Sequence, residues 1–160
     1  MKYTKWIART SILLALTLII QMMGFPPFIT GPLVNMMLFV STNLVGLLGG
    51  VLVGGLTPGI AFLRGILPAP LAPVVPFIIL GNIILVSSYY FAKRINKYLA
   101  IAGAAGLKFL VLSWAVSSLV NVPNKIAKVM QLPQLLTALT GGLLAIFLLK
   151  LLNRTDLEEN

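Results

Sequence analysis

Residues able to do chemistry are few in this chain, and they come in a narrow range of types. There is no histidine and no cysteine, and the three carboxylates, Asp156, Glu158 and Glu159, fall in the last five positions. Residues 1–155 therefore carry no acidic side chain. His- or Cys-ligated metals, thiol chemistry, paired-carboxylate hydrolysis and Asp-held magnesium all lack their groups. So do the Asp/Glu/His relays that serve proton-driven carriers. With no nucleophile–base pair visible, the sequence predicts no enzyme, no metal and no cofactor. What remains is hydrogen bonding by amides and hydroxyls, aromatic stacking, and the charge of twelve Lys and Arg residues.

Those polar groups fall into a pattern once helices are assumed. At about 1.5 Å per residue, Gln21, Asn35, Asn82, Trp114 and Thr140 each lie within roughly 10 Å of the same surface, counted from the ends of predicted helices. Trp114, Ser117, Ser118 and Asn121 are spaced i, i+3, i+4, i+7, which places them on one helical face. An aromatic plate with hydroxyls and amides beside it suits a small polar ligand in a mostly apolar pocket. The plainer role for such residues is to tie membrane helices together. Read as a set, they predict a substrate-binding layer of Gln21, Asn35, Asn82, Trp114, Ser117, Ser118, Asn121 and Thr140. Arg64 joins it from the end of a predicted helix, where a guanidinium can fork onto a carboxylate or phosphate, or simply anchor at the interface. Lys108 is the one cation in mid-span. Its helical phase points away from the Trp114 stripe, so it is placed outside the site, snorkelling or capping a carbonyl.

The elements that must hold these residues are membrane helices. Hydrophobic residues make up 59% of the 160-residue chain and charged residues 9%, with a mean hydropathy of +1.02. A soluble domain of this size cannot hide so much apolar surface, so lipid is the solvent for most of it. The apolar runs predict an all-α bundle of about six transmembrane helices in a single domain, near 6–23, 32–43, 46–64, 76–92, 98–119 and 134–152, with a polar tail over 153–160. Lys2, Lys5 and Arg9 before an apolar run imitate a signal peptide, but no A-x-A cleavage site follows, so a retained first helix is expected. Residues 32–64 are short for two spans of about 20 residues each, and a single kinked helix competes with two short ones. The stretch Gly65–Pro76 is too apolar for a solvated loop and too proline-rich for a helix, which suits a loop packed into the mouth of a bundle.

Orientation follows from the basic residues, which accumulate on the cytoplasmic side. With both termini inside, Lys2, Lys5, Arg9, Lys93, Arg94, Lys97, Lys150 and Arg154 lie at cytoplasmic ends, while Arg64, Lys125 and Lys128 lie at outer ends. The N-terminus and the 93–97 cluster share a side only if an even number of crossings separates them. Glycines 46, 50 and 54 recur every four residues, a signal for close helix packing.

Four segments carry a family resemblance: Thr30-Gly31-Pro32-Leu33-Val34-Asn35, Gly54-Gly55-Leu56-Thr57-Pro58, Arg64-Gly65-Ile66-Leu67-Pro68 and Pro76-Phe77-Ile78-Ile79-Leu80-Gly81-Asn82. Together with six acid-free spans and basic ends, they resemble the S components of energy-coupling factor (ECF) transporters. The resemblance implies a substrate-binding subunit in a prokaryotic cell membrane, taking up a vitamin or related micronutrient. Its implied partners are the small-molecule substrate, a scaffold transmembrane protein, two cytoplasmic ATPases and the bilayer, with no nucleic acid. It further implies a substrate near the outer face beneath loops 25–31, 65–75 and 120–133. An Ala-x-x-x-Ala docking motif belongs on the first helix. Here Ala8 is followed by Ile12, and Ser11-x-x-x-Ala15 is the nearest match, so Ala8, Ser11 and Ala15 are the expected docking residues. A self-sufficient secondary carrier and a ligand-free membrane scaffold are the alternative functions.

Overall fold

The computed structural model describes the backbone of residues 2–158 and the side chains of residues 3–153. The side chains of Lys2, Arg154, Asp156, Glu158 and Glu159 therefore lie outside the described residues. Six long helices form the body: α1 (Lys2–Met22), α2 (Pro27–Leu44), α3 (Gly46–Leu63), α4 (Val75–Ala92), α5 (Lys97–Trp114) and α7 (Leu132–Glu158), with a short α6 (Asn124–Val129) between the last two. A 3₁₀ segment, Ala69–Val74, leads into α4, and α5 runs on into a π-helical turn over Ala115–Leu119. There are no strands among the described residues. The region 153–158 is not a separate tail but the last turns of α7.

Residues 32–64 fold as two helices, and the reason is local. Val45 and Gly46 form the turn between α2 and α3, with Gly46 at φ +79°, a conformation that glycine adopts without strain. The two helices then run antiparallel at close range. A β-carbon on Gly50 would fall 2.6 Å from Thr42 Oγ1, and one on Gly54 would fall 3.5 Å from Leu38 Cδ2. Gly50 and Gly54 are thus packing glycines, as the four-residue repeat suggests, whereas Gly46 makes the turn. α2 starts at Pro27 instead of Pro32, because proline fits a first helical turn whose N–H groups have no intrahelical partner. Pro32 lies inside it.

Five stretches are long and apolar enough to cross a membrane: Tyr3–Met22, Gly46–Leu63, Ala69–Ala92, Lys97–Leu119 and Asn124–Asn153. α2 is the exception, and its position explains why. It packs against α1, α3, α4 and α7, and Met37–Thr42 is buried without a break. A helix shielded from lipid by its neighbours can carry Asn35, Thr42 and Asn43 at little cost, because their side chains make hydrogen bonds inside.

The start of α1, the α2–α3 turn, the α4–α5 turn and the end of α7 gather at one end of the bundle. Trp6 Nε1 donates to the Val45 carbonyl at 2.7 Å, and Lys93 Nζ donates to the Thr42 carbonyl and Asn43 Oδ1. At the opposite end the proline-rich segment closes the mouth. Its Leu71 and Val74 pack with Val116 from the π turn and Met130 beyond α6 in a small second core. That cap stands above the main core, which is built around Leu38, Phe39, Val53, Leu85 and Val86.

Candidate functional site

One chain of polar groups within the bundle leads to Lys108, which helical phase alone places outside the site. Lys108 is only 3% exposed, facing α2 from α5. Its ammonium donates to Asn35 Oδ1 at 2.7 Å, the one hydrogen bond that it makes among the described residues. Asn35 is itself 2% exposed, and its Nδ2 donates to the Gly31 carbonyl at 2.9 Å and to Thr137 Oγ1 at 3.4 Å. Thr137 Oγ1 in turn donates to the Gln134 carbonyl at 3.1 Å. A chain of hydrogen bonds thus runs from α5 through α2 to α7. Lys108 thus neither snorkels nor caps a backbone carbonyl, and it does point away from Trp114, which is 58% exposed.

The backbone is shaped to let this network form. A β-carbon on Gly141 would lie 2.6 Å from the Pro32 carbonyl and 2.7 Å from Asn35 Cβ, so glycine there brings α7 onto the backbone of α2. Gly81 gives Lys108 its passage, since a β-carbon would sit 3.3 Å from Lys108 Cγ. On the next position, Asn82 is 2% exposed and donates to the Gly54 carbonyl at 2.9 Å, while its Oδ1 is buried with no partner. Five helices therefore meet at this level with polar groups or glycines: Asn35, Gly54, Gly81–Asn82, Lys108 and Thr137–Gly141.

A cavity of about 670 Å³ opens between the first turns of α2 and α7, beside α6. Phe28, Gly31, Val129, Gln134, Thr137 and Thr140 are among its lining residues. Asn35 bonds directly to two of these, Gly31 and Thr137, so Lys108 stands one amide behind the cavity wall. Most of the lining is apolar, and Pro32 cannot supply the hydrogen bond that the Phe28 carbonyl accepts in a regular helix. The volume fits a small molecule, with a few polar groups to orient it.

The other expected site residues are dispersed. Thr140 lines the cavity, with its hydroxyl donating to the Leu136 carbonyl at 2.8 Å. Trp114, Ser117, Ser118 and Asn121 are exposed at the end of α5, and the π turn breaks the 100° phase on which their shared face depended. Arg64 is exposed at the end of α3. Gln21 is half-buried, with Oε1 enclosed and unpartnered. Thr137 and Gln134 were not singled out from the sequence. The signal for Lys108 was there: Ile101, Ala104, Ala105, Lys108 and Leu112 form one buried stripe at helical spacing.

A model of the family described as ECF transporter, substrate-specific component, matches residues 5–153. The chain belongs to that family. No curated protein and no solved structure matches it. That family is one of substrate-binding transport components and not an enzyme family, and the match shows the resemblance over nearly the whole chain. With its apolar helices, this one is a multi-pass protein of a prokaryotic plasma membrane. The cavity at the capped end, backed by a buried ammonium, is its candidate substrate site.

Proposed function

We propose that this S component captures a small, vitamin-like anion at the outer face and releases it inward when coupled to a scaffold protein and two ATPases. The observation that carries the reading is Lys108. A buried ammonium is costly unless its charge is paired, and residues 1–155 contain no carboxylate to pair it. Asn35 supplies a neutral acceptor, which satisfies one proton and leaves the charge uncompensated. A substrate carboxylate or phosphate in the adjoining cavity supplies the missing sign. Asn35 and Thr140 keep their place in the proposed pocket, and Lys108, Gln134 and Thr137 join them. Asn82, with its free carbonyl oxygen, offers a second polar edge in the same layer. Gln21, Arg64, Trp114, Ser117, Ser118 and Asn121 stand outside this cavity.

Energy comes from partners on this reading, because residues 1–155 hold no Asp, Glu or His for a proton relay and no glycine is followed by Lys-Ser/Thr. Ala8, Ser11 and Ala15 support a scaffold contact: all three are exposed on α1, while Thr10, Leu13 and Thr17 turn inward. Both ends of the chain are proposed to be cytoplasmic, with the capped mouth outside. Uptake of the substrate should require co-expressed scaffold and ATPase subunits. Uptake undiminished without them would make the protein a self-sufficient carrier instead.

A further inference from the structure

The basic end of the bundle carries a second concavity, distinct from the substrate cavity. A cleft of about 380 Å³ lies among the end of α2, the α4–α5 turn and the end of α7. Four cations, Lys93, Arg94, Lys97 and Lys150, line it, together with Asn43 and Asn153. Its wall on α7 is apolar, formed by Ile146 and Leu149.

A bias of basic residues toward the cytoplasmic side orients helices wherever the charges happen to sit. Here they are gathered from three helix ends around one hollow, and one of them is fixed in place. Lys93 Nζ donates to Asn43 Oδ1 at 3.1 Å and to the Thr42 carbonyl at 3.4 Å, and it lies over the rings of Tyr89 and Tyr90. Asn43 is braced in turn by Tyr89, whose hydroxyl accepts from Asn43 Nδ2 at 3.0 Å. No salt bridge is available to this cluster from residues 3–153, which contain no acid. Partial burial, and then the neighbouring Arg94 charge, hold the Lys93 ammonium below the ordinary lysine range. The cations crowd one another, and an anion from outside relieves that repulsion.

We propose that this cleft is a binding site for the phosphodiester headgroup of an anionic phospholipid, with an acyl chain lying along Ile146 and Leu149. Two features select a lipid over a free phosphate. The cleft joins a cationic rim to an apolar wall, and it sits where the apolar stretches Ala69–Ala92, Lys97–Leu119 and Asn124–Asn153 begin or end. Basic pockets between helices at the cytoplasmic side are suited to such headgroups, each cation near the anion contributing about a fivefold gain in affinity.

Native mass spectrometry of the detergent-purified protein, titrated with phosphatidylglycerol or phosphatidylcholine, tests this. Working with purified protein removes any effect of charge changes on membrane insertion. One phosphatidylglycerol should be retained at least about tenfold better than phosphatidylcholine. The variant Arg94→Gln/Lys97→Gln/Lys150→Gln, which spares the hydrogen-bonded Lys93, should lose that preference while its helical circular dichroism is unchanged. Lys125→Gln/Lys128→Gln, at the other end, should keep it. Should the triple variant lose helicity, Lys150→Gln alone is to be read, with about a fivefold loss expected. Equal retention of the two lipids, or an unchanged preference in the cleft variants, overturns the proposal. Displacement of the lipid by millimolar inorganic phosphate would make this a small-anion site and overturn it too. Binding that appears only after neutralising Asp156, Glu158 and Glu159 would assign the cleft to the chain's own acidic end. None of these results depends on the substrate cavity.

Discussion

Lys108 and Asn35 form a pair in which the order of removal matters. Asn35→Leu leaves the ammonium buried with no acceptor, and stranding a buried charge costs about 3–5 kcal/mol. Lys108→Met/Asn35→Leu removes the charge and its acceptor together, so it should recover most of that loss. Thermal denaturation in detergent should therefore rank the double variant well above Asn35→Leu, while neither binds substrate. Equal stability in the two would show that Lys108 does not depend on Asn35. Single residues were the least legible part of the sequence. Asn35, Asn82 and Thr140 are conspicuous as polar side chains in apolar runs. The burial of Lys108 is legible only against the alanines that share its stripe, not against Trp114, an exposed residue. Thr137 had no signal of its own, since only the approach of α7 to α2 makes it a partner of Asn35.

Among the elements, α1 and the α2–α7 contact are the most sharply divided by face. On α1 the buried stripe Thr10, Leu13, Thr17 holds the helix to the bundle and leaves Ala8, Ser11 and Ala15 outward. Ala15→Leu should leave helical content and substrate affinity of the isolated subunit unchanged, yet impair assembly with the scaffold and ATP-driven uptake. Normal uptake in that variant would move the docking surface elsewhere. Gly141→Ala should destabilise, because the new methyl meets the backbone of α2, 2.6 Å from the Pro32 carbonyl and 2.8 Å from the Met36 nitrogen. Overpacking of this kind costs about 1–3 kcal/mol. Gly103→Ala is the matched control: nothing lies within 4 Å of its β-carbon, and alanine is the better helix former. A drop in melting temperature for Gly141→Ala alone is the expected result. Hydropathy placed the helices, since apolar runs and prolines mark spans and breaks directly. It missed the start of α2, where Pro27 begins a helix, and it missed the π turn, which changes helical phase without changing composition. The last residues looked like a polar tail because helix formation beyond Asn153 does not require apolar side chains.

For the whole molecule, the alternation of the long helices brings the N-terminus, the α2–α3 turn, the α4–α5 turn and the C-terminal end of α7 to one end. Reporter fusions at Ile95 and at the C-terminus should both report cytoplasm; opposite sides would contradict the proposed orientation. This level was the most legible, because 59% hydrophobic residues and no acid before position 156 leave few folds and few chemistries open. Substrate identity was not legible, since a largely apolar cavity backed by one cation fits many small anions. The most direct test of the central claim is native mass spectrometry of the purified subunit offered a metabolite extract from its host. Wild-type protein should retain one small anionic molecule, saturably, and Lys108→Met should lose it while remaining folded. A wild-type protein that binds no small molecule, or a Lys108→Met protein that binds the same one undiminished, would contradict the account.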